Sequence, residues 1–269
     1  MSTLEVRNVS FSYGEHQVLK NVSFKAETGH LVSVLGPNGV GKSTLFRCML
    51  GLLKNYDGSI TVDGKDTRNM GARELAHHVA YVPQSHYPAF NYTVLDMVLM
   101  GTSSRTSPFS PPRGKEIRAA MEALERMGMA EFAHRDYTHI SGGERQMVLI
   151  ARALAQNTKV LMMDEPTANL DYGNQMRVME QVRKLTGDGY TILQSTHNPD
   201  QAYLFSHRIL AIQNGQVIAD GPPNQVVDAK LIDDLYGVDV NVESFCDDKF
   251  RVCVPQTILK NMNDKETSQ

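Results

Sequence analysis

The stretch from Leu31 to Met49 constrains this chain of 269 residues more than any other. An apolar run, Leu31-Val32-Ser33-Val34-Leu35, leads into Gly36-Pro37-Asn38-Gly39-Val40-Gly41-Lys42-Ser43-Thr44. A helical pattern follows at Leu45, Met49 and Leu52–Leu53, with Gly51 interrupting it near its end. Strand, glycine-rich turn and helix in that order are the context required by G-x-x-x-x-G-K-[ST], a phosphate cradle. Gly36, Gly39 and Gly41 permit a tight loop whose backbone N–H groups converge on an anion, and the helix behind it adds a favourable dipole. A chance glycine-rich turn could carry the same letters, but not the strand and helix that flank it.

Two further stretches make sense only beside the first. Val160–Met163 is an apolar strand ending in Asp164-Glu165. Carboxylates at a strand end are often merely solvated. A buried strand of an α/β sheet, however, delivers its C-terminal end to the site, where such a pair suits holding magnesium and activating a water. Ser141-Gly142-Gly143-Glu144-Arg145-Gln146 contains an S-x-x-E capping box, which accounts for Ser141 and Glu144. The box leaves Gly142 and Gly143 as bare amides at a helix start, a ready anion site, and the two readings hold together.

Between these landmarks the texture alternates. Residues 3–35 carry short β-type runs such as Val22-Ser23-Phe24, and Ile60–Gly64 adds another with an Asp-Gly turn. Val79–Val82, closed by Pro83, is a buried-strand candidate. From about 86 to 156 the pattern is helical, with a Ser/Pro-rich loop at Thr102–Gly114. Ile117, Met121, Leu124 and Met127 then mark one helical face that stops at Gly128. The next helix starts at Ser141, with Met147, Ala151 and Leu154 on its apolar side. Val160–Met163, a helix through Val178, Val182 and Leu185, and Tyr190–Ser195 restore strand–helix alternation, which predicts a parallel, helix-flanked sheet. Val240–Phe245 and Phe250–Val254 flank Asp247-Asp248 as a small hairpin, within a last segment of 44 residues holding nine acidic and five basic residues.

With 27 Lys+Arg against 30 Asp+Glu, the formal net charge of −3 gives no general nucleic-acid-binding field. Cys48, Cys246 and Cys253 do not form a disulfide framework, which fits a reducing compartment, and Cys48 reads as inert packing. Met1–Arg7 lacks a signal-peptide layout, and no apolar run approaches the roughly 18 residues of a membrane span. These features predict a cytoplasmic chain whose membrane role, if any, passes through a partner.

Taken together, Gly36–Thr44, Ser141–Gln146 and Val160–Glu165 resemble the nucleotide-binding subunits of ATP-binding cassette (ABC) proteins over most of the chain. The resemblance implies an α/β fold of the P-loop NTPase (RecA-like) kind, with a parallel-sheet core, an N-terminal antiparallel β subdomain and an inserted helical subdomain. It places the ATPase domain at 1–225, the helical subdomain at about 86–156 within it, and a short acidic extension at 226–269. ATP and Mg²⁺ are the implied cofactors. Gly36, Asn38, Gly39 and Gly41 would line the phosphates, Lys42 would bridge the β- and γ-phosphates, and Thr44 would meet the α-phosphate. Ser43, Gln84 and, through water, Asp164 would hold Mg²⁺; Glu165 would act as general base, Gln84 would also sense the lytic water, His197 would contact the γ-phosphate, and Tyr13 would stack on adenine. Ile140 stands where Leu is usual in the family.

In the family, Ser141 and Gly143 meet the nucleotide of the other subunit, so a head-to-tail dimer with two composite sites is implied, and Asn169-Leu170-Asp171 communicates between subunits. The segments Val94–Gly101 and Ser195–Ala202 look like the iron-siderophore, haem and cobalamin uptake branch. That branch implies an ATPase on the cytoplasmic face of the membrane, bound to an integral-membrane permease dimer and acting indirectly with an extracytoplasmic substrate-binding protein, with no nucleic-acid partner. The aromatic run His86–Thr93 is either helical-subdomain packing or a groove for a permease helix. The interval from Gln84 to Ser141 holds a compact helical subdomain rather than the long coiled coil of DNA-repair relatives. A soluble ABC ATPase of an assembly complex, such as iron–sulfur cluster assembly, is the alternative. A P-loop kinase or GTP switch would leave Ser141–Gln146 without a role.

Overall fold

The computed structural model describes residues 3–84, 90–105, 111–248 and 250–257. The chain opens with β1 (Leu4–Tyr13) and β2 (His16–Ala26), an antiparallel hairpin turned by Gly14 at φ +58°. The fully buried β3 (Leu31–Leu35) leads into α1 (Lys42–Met49). β4 (Asp57–Val62) returns to pair with β1, and the two-residue β5 (Lys65–Asp66) follows the Asp63-Gly64 turn. A short helix, α2 (Ala72–Leu75), precedes β6 (Val79–Val82). Then come α3 (Val94–Leu99), α4 (Gly114–Arg126) and α5 (Gly142–Ala155). Alternation resumes with β7 (Val160–Asp164), α6 (Tyr172–Gly187), β8 (Thr191–Thr196), α7 (Pro199–Phe205), β9 (Arg208–Gln213) and β10 (Gln216–Gly221). The C-terminal part holds α8 (Pro223–Val226), α9 (Ala229–Tyr236) and the hairpin β11 (Val240–Phe245) with β12 (Phe250–Pro255).

The central sheet has six strands in the order β10-β9-β3-β8-β7-β6. All neighbours are parallel except β10, which caps the edge antiparallel to β9. Strands covered on both faces read as continuous apolar runs, which is why Leu31–Leu35 and Val160–Met163 show no alternation. A separate antiparallel sheet, β2-β1-β4-β5, shares one core with α1 through Leu4, Leu19, Ile60, Phe46 and Met49. Cys48 lies in that core, where burial pushes its thiol up to about 12.

The register of the parallel strands positions the site. Leu35 stands beside Thr196, and Asp164 beside Ser195, so β3, β7 and β8 end on adjacent rungs. α3, α4 and α5 pack into a second core with β6 and β7. Here the sequence-based face of α4 needs correction. Ile117 is 40% exposed and Met121 only half-buried; Ala120, Ala123, Leu124 and Met127 face the core. Alanines at two of those positions let α4 approach its neighbours closely, while Ile117 sits in the first turn at the rim. Leu52 likewise falls outside α1 and is 70% exposed, because the helix ends at Met49 and Gly51 turns the chain at φ +66°. The Ser/Pro-rich loop is shorter than expected on its N-terminal side, since Met100–Arg105 forms a 3-10 turn.

Just before β9, His207 Nδ1 accepts from the Leu31 amide at 2.9 Å and its ring stacks on His30 at 5.0 Å. Burial, then Arg183 and then His30, lower its pKa from 6.5 to about 4. A histidine held neutral in the fold contributes stability above the unfolded pKa that is lost as pH falls through the folded one. Melting temperature should therefore drop between pH about 6.5 and 4, and drop less steeply in His207→Gln; equal slopes in a pH series of thermal melts would exclude His207 as the cause.

Candidate functional site

The loop after β3 is shaped by contacts that only glycine tolerates. A Cβ on Gly36 would lie 2.5 Å from the Ile212 carbonyl oxygen. One on Gly41, at φ +107°, would press on Leu19 Cδ2 and the Val18 oxygen at 3.0 and 3.1 Å. α1 begins at Lys42 with no side-chain cap and no acidic residue in its first turn, so its leading amides stay available to an anion. Lys42 is buried at that point, donating to the Gly36 and Pro37 carbonyls at 2.6 and 2.9 Å, with Nζ 3.8 Å from Glu165 Oε1. Burial lowers the Lys42 pKa, opposed by the charges of Glu165 and Asp164. Ser43 is exposed beside it and Thr44 half-buried.

β7 delivers the two carboxylates in different directions. Ser43 Oγ and Tyr81 OH each lie 3.5 Å from Asp164 Oδ2, while Ser195 Oγ donates to Asp164 Oδ1 at 2.5 Å. Glu165 leaves the strand in the left-handed region at φ +43°, an uncommon conformation for this residue type that marks functional sites. Its amide donates to Ser195 Oγ at 2.9 Å, so one serine hydroxyl of the neighbouring strand fixes both acidic residues. His197 follows β8, and its Nδ1 lies 3.2 Å from Glu165 Oε1. Asn38, Gln84, Glu165, Asn169 and His197 line one cavity of about 320 Å³, together with the hydrogen-bonded Thr167 and Gln201.

Tyr13 ends β1 opposite His16, edge-on to Phe11 at 4.8 Å and about half exposed. Two residues beyond His16, Val18 and Leu19 support Gly41, so Tyr13 stands at the same end of the sheet as the phosphate loop.

Ser141 and Gly143 are not brought to that loop. The capping box forms as expected, with the Ser141 amide donating to Glu144 Oε2 at 2.6 Å and the Glu144 amide to Ser141 Oγ at 3.3 Å. A Cβ on Gly143 would strike Asn174 of α6 at 2.5 Å, and one on Gly142 would touch Leu170. Among the described residues, no hydrogen bond or ion pair joins 141–146 to 36–44. Ser141 and Gly142 instead face solvent beside the segment that follows β7.

Sequence reasoning gave no role to Ser195, Tyr81 or Tyr236, whose hydroxyl donates to the His197 carbonyl at 2.8 Å. The available signal was a run of polar residues, Gln194-Ser195-Thr196, at the end of a fully buried strand. Polar groups placed there must find partners.

Comparison with known proteins converges on one family. The family model described as ABC transporter matches residues 19–168. The chain is 40% identical over 209 residues, 78% of this chain and 80% of the other, to an uncharacterized ABC transporter ATP-binding protein of Haemophilus influenzae. It is 30% identical to the iron(3+)-hydroxamate import ATP-binding protein FhuC of Bacillus subtilis, covering 99% of this chain and all of that one (100%). Among solved structures, an inward-facing conformation of an ABC transporter assigned to the metal-chelate type superposes with a TM-score of 0.83 at 28% identity, covering 96% of this chain and 100% of that one. With the phosphate loop, the carboxylate pair and the capped Ser141–Glu144 helix start all in place, the chain belongs to the family of ATP-binding subunits of ABC transporters.

Proposed function

We propose that this protein hydrolyses ATP to drive import of a metal chelate (an iron-siderophore, haem or cobalamin compound) through a separate permease. The observation that carries the reading is the meeting of Lys42, Ser43, Asp164, Glu165 and His197 at the adjacent ends of β3, β7 and β8. In this reading Lys42 and the leading amides of α1 neutralise the phosphates, with Gly36, Asn38, Gly39, Gly41 and Thr44 shaping their seat and Tyr13 against adenine. Glu165 accepts the proton of the attacking water, and His197 and Gln84 position it. Phosphoryl transfer asks mainly for positioning and charge stabilisation, and these residues supply both.

The oxygens of Ser43, Asp164 and Gln84 suit Mg²⁺, which binds through few protein oxygens, phosphates and water. Bound Mg²⁺ would neutralise charge on the transferred phosphoryl group.

A second copy would supply Ser141 and Gly143 to each site. Residues 1–225 would act as the ATPase domain, with about 86–156 as its helical subdomain and 226–269 as an extension. Among the described residues no helix is long and apolar enough to cross a membrane. In this reading the chain attaches through the permease, on its cytoplasmic face. A groove of about 360 Å³, lined by Leu50, Leu52, Leu75, Tyr81, Met100 and Arg152, suits a docking helix. Tyr81 lines that groove and also reaches Asp164, so pressure on the groove can be felt at the metal carboxylate. Of the aromatic run, Phe90 is exposed and edge-on to Tyr92, whereas Tyr87 lies outside the described residues. The iron-hydroxamate relative and the metal-chelate structure support the cargo class.

Deleting the gene should abolish uptake of the cognate chelate. Complementation with a Leu52→Glu chain should restore ATP binding but not transport. Normal uptake of iron chelates, haem and cobalamin in a deletion strain without a redundant cassette would overturn the cargo assignment.

A further inference from the structure

We propose that Tyr236 is a positioning residue for the His197–Glu165 pair, and that α9 with the β11–β12 hairpin holds it in place. The proposal rests on the reading of Glu165 and His197 given above. Tyr236 is the last residue of α9, which Gly237 terminates in the left-handed region at φ +65°. Its hydroxyl donates to the His197 carbonyl oxygen at 2.8 Å. Burial raises the phenol's pKa, and the nearby Cys253 and Glu165 raise it further, so the group stays protonated and remains a donor.

The histidine needs such support. Its side chain is 54% exposed, so packing does not fix the ring, and its contact with Glu165 depends on where the backbone puts it. The turn is tied at its start, where the Thr196 carbonyl accepts from the Gly36 amide at 3.3 Å and Thr196 Oγ1 accepts from the Asn198 amide at 3.1 Å. Tyr236 ties the carbonyl between them. A bond at that point sets the orientation of the peptide plane next to the imidazole, and misplacement of a catalytic group by an ångström has large rate costs.

The C-terminal unit is itself anchored. Leu231, Ile232 and Leu235 bury the inner face of α9 against β9 and α7. The hairpin grips α7 directly: Tyr203 OH donates to the Asp248 carbonyl at 2.8 Å, and the Cys253 amide donates to Asp200 Oδ1 at 3.2 Å. Arg251 closes the latch by pairing with Asp248 at 2.6 Å and donating to the Val227 carbonyl at 2.8 Å. Since α7 begins at Pro199, the same unit holds the helix that follows His197 and the carbonyl of His197 itself. Packing alone would be satisfied by phenylalanine at 236; the aimed hydroxyl is what the positioning role explains.

The test uses the full chain assembled with its cognate permease. Tyr236→Phe should lower kcat by about five- to twenty-fold while KM for ATP and the melting temperature stay close to the parent's, the pattern of a group that acts only as the transition state forms. In a His197→Ala background the same substitution should cause no further loss, because its effect passes through His197. Tyr203→Phe, which loosens the latch away from the site, should lower kcat in the same sense by a smaller factor. Parent-like kcat in Tyr236→Phe, or an additive loss on top of His197→Ala, overturns the assignment. Glu165→Gln in the same assay separates the two readings: if it retains turnover the site reading fails, and if it is inactive while Tyr236→Phe is unimpaired only the tyrosine role fails.

Discussion

Glu165→Gln should bind ATP at least as tightly as the parent while turnover falls by about two to four orders of magnitude, the range a positioned general base supplies. The substitution keeps the shape of the side chain and leaves the backbone amide bonded to Ser195. What it removes is the ability to take a proton from water. It also removes one negative charge from beside Lys42, whose ammonium is 3.8 Å from the Glu165 carboxylate. With that charge gone, repulsion toward an incoming γ-phosphate is smaller, so affinity should hold or increase. Equilibrium nucleotide binding and single-turnover hydrolysis, measured on the assembled complex, separate the two effects. Near-normal turnover would take Glu165 out of the role of base.

A Lys42→Ala chain and a Ser141→Arg chain, each inactive alone, should recover activity when mixed. In the proposed head-to-tail pair, the glycine loop of one chain and the Ser141 segment of another would build each site. In a mixed pair both lesions then fall in one site and the other is intact. Random pairing makes half the dimers mixed, so recovery should reach about a quarter of parent turnover if one intact site suffices. The placement of Ser141–Gln146 against Leu170 and Asn174, away from residues 36–44 of its own chain, is the structural reason to expect this. Arg at 141 puts a bulky cation where the capping serine faces solvent. If the mixture stays inactive, and ATP never drives self-association of the Glu165→Gln chain with the permease present, the paired arrangement is wrong.

The parts of the site written in local chemistry were legible in the sequence. Gly36 and Gly41 are required by backbone approach within a few ångströms, so their spacing carries the loop by itself. Val79–Val82 and the C-terminal hairpin also fell where turn residues and apolar runs placed them. What could not be read depends on register and packing. Ser195 holds both carboxylates only because β7 and β8 pair Asp164 with Ser195, and nothing local to either strand specifies that rung. Tyr236 reaches His197 across 39 residues through the docking of α9. The face of α4 was misjudged at Ile117 because periodicity locates a stripe but not which of its ends meets the neighbouring helices.

The three cysteines differ in a way that has practical weight. Cys48 is sealed under the first sheet, and Cys253 is half-buried against Asp200; burial pushes both thiols up to about 12. Thiolate, not thiol, attacks an electrophile, so both are slow to react near neutral pH. Cys246 sits exposed at the tip of the C-terminal hairpin. The unaltered chain therefore carries a native attachment point for a maleimide dye on the same unit that latches α7. In the proposed pair, two such dyes would report whether nucleotide changes the separation of the two hairpins.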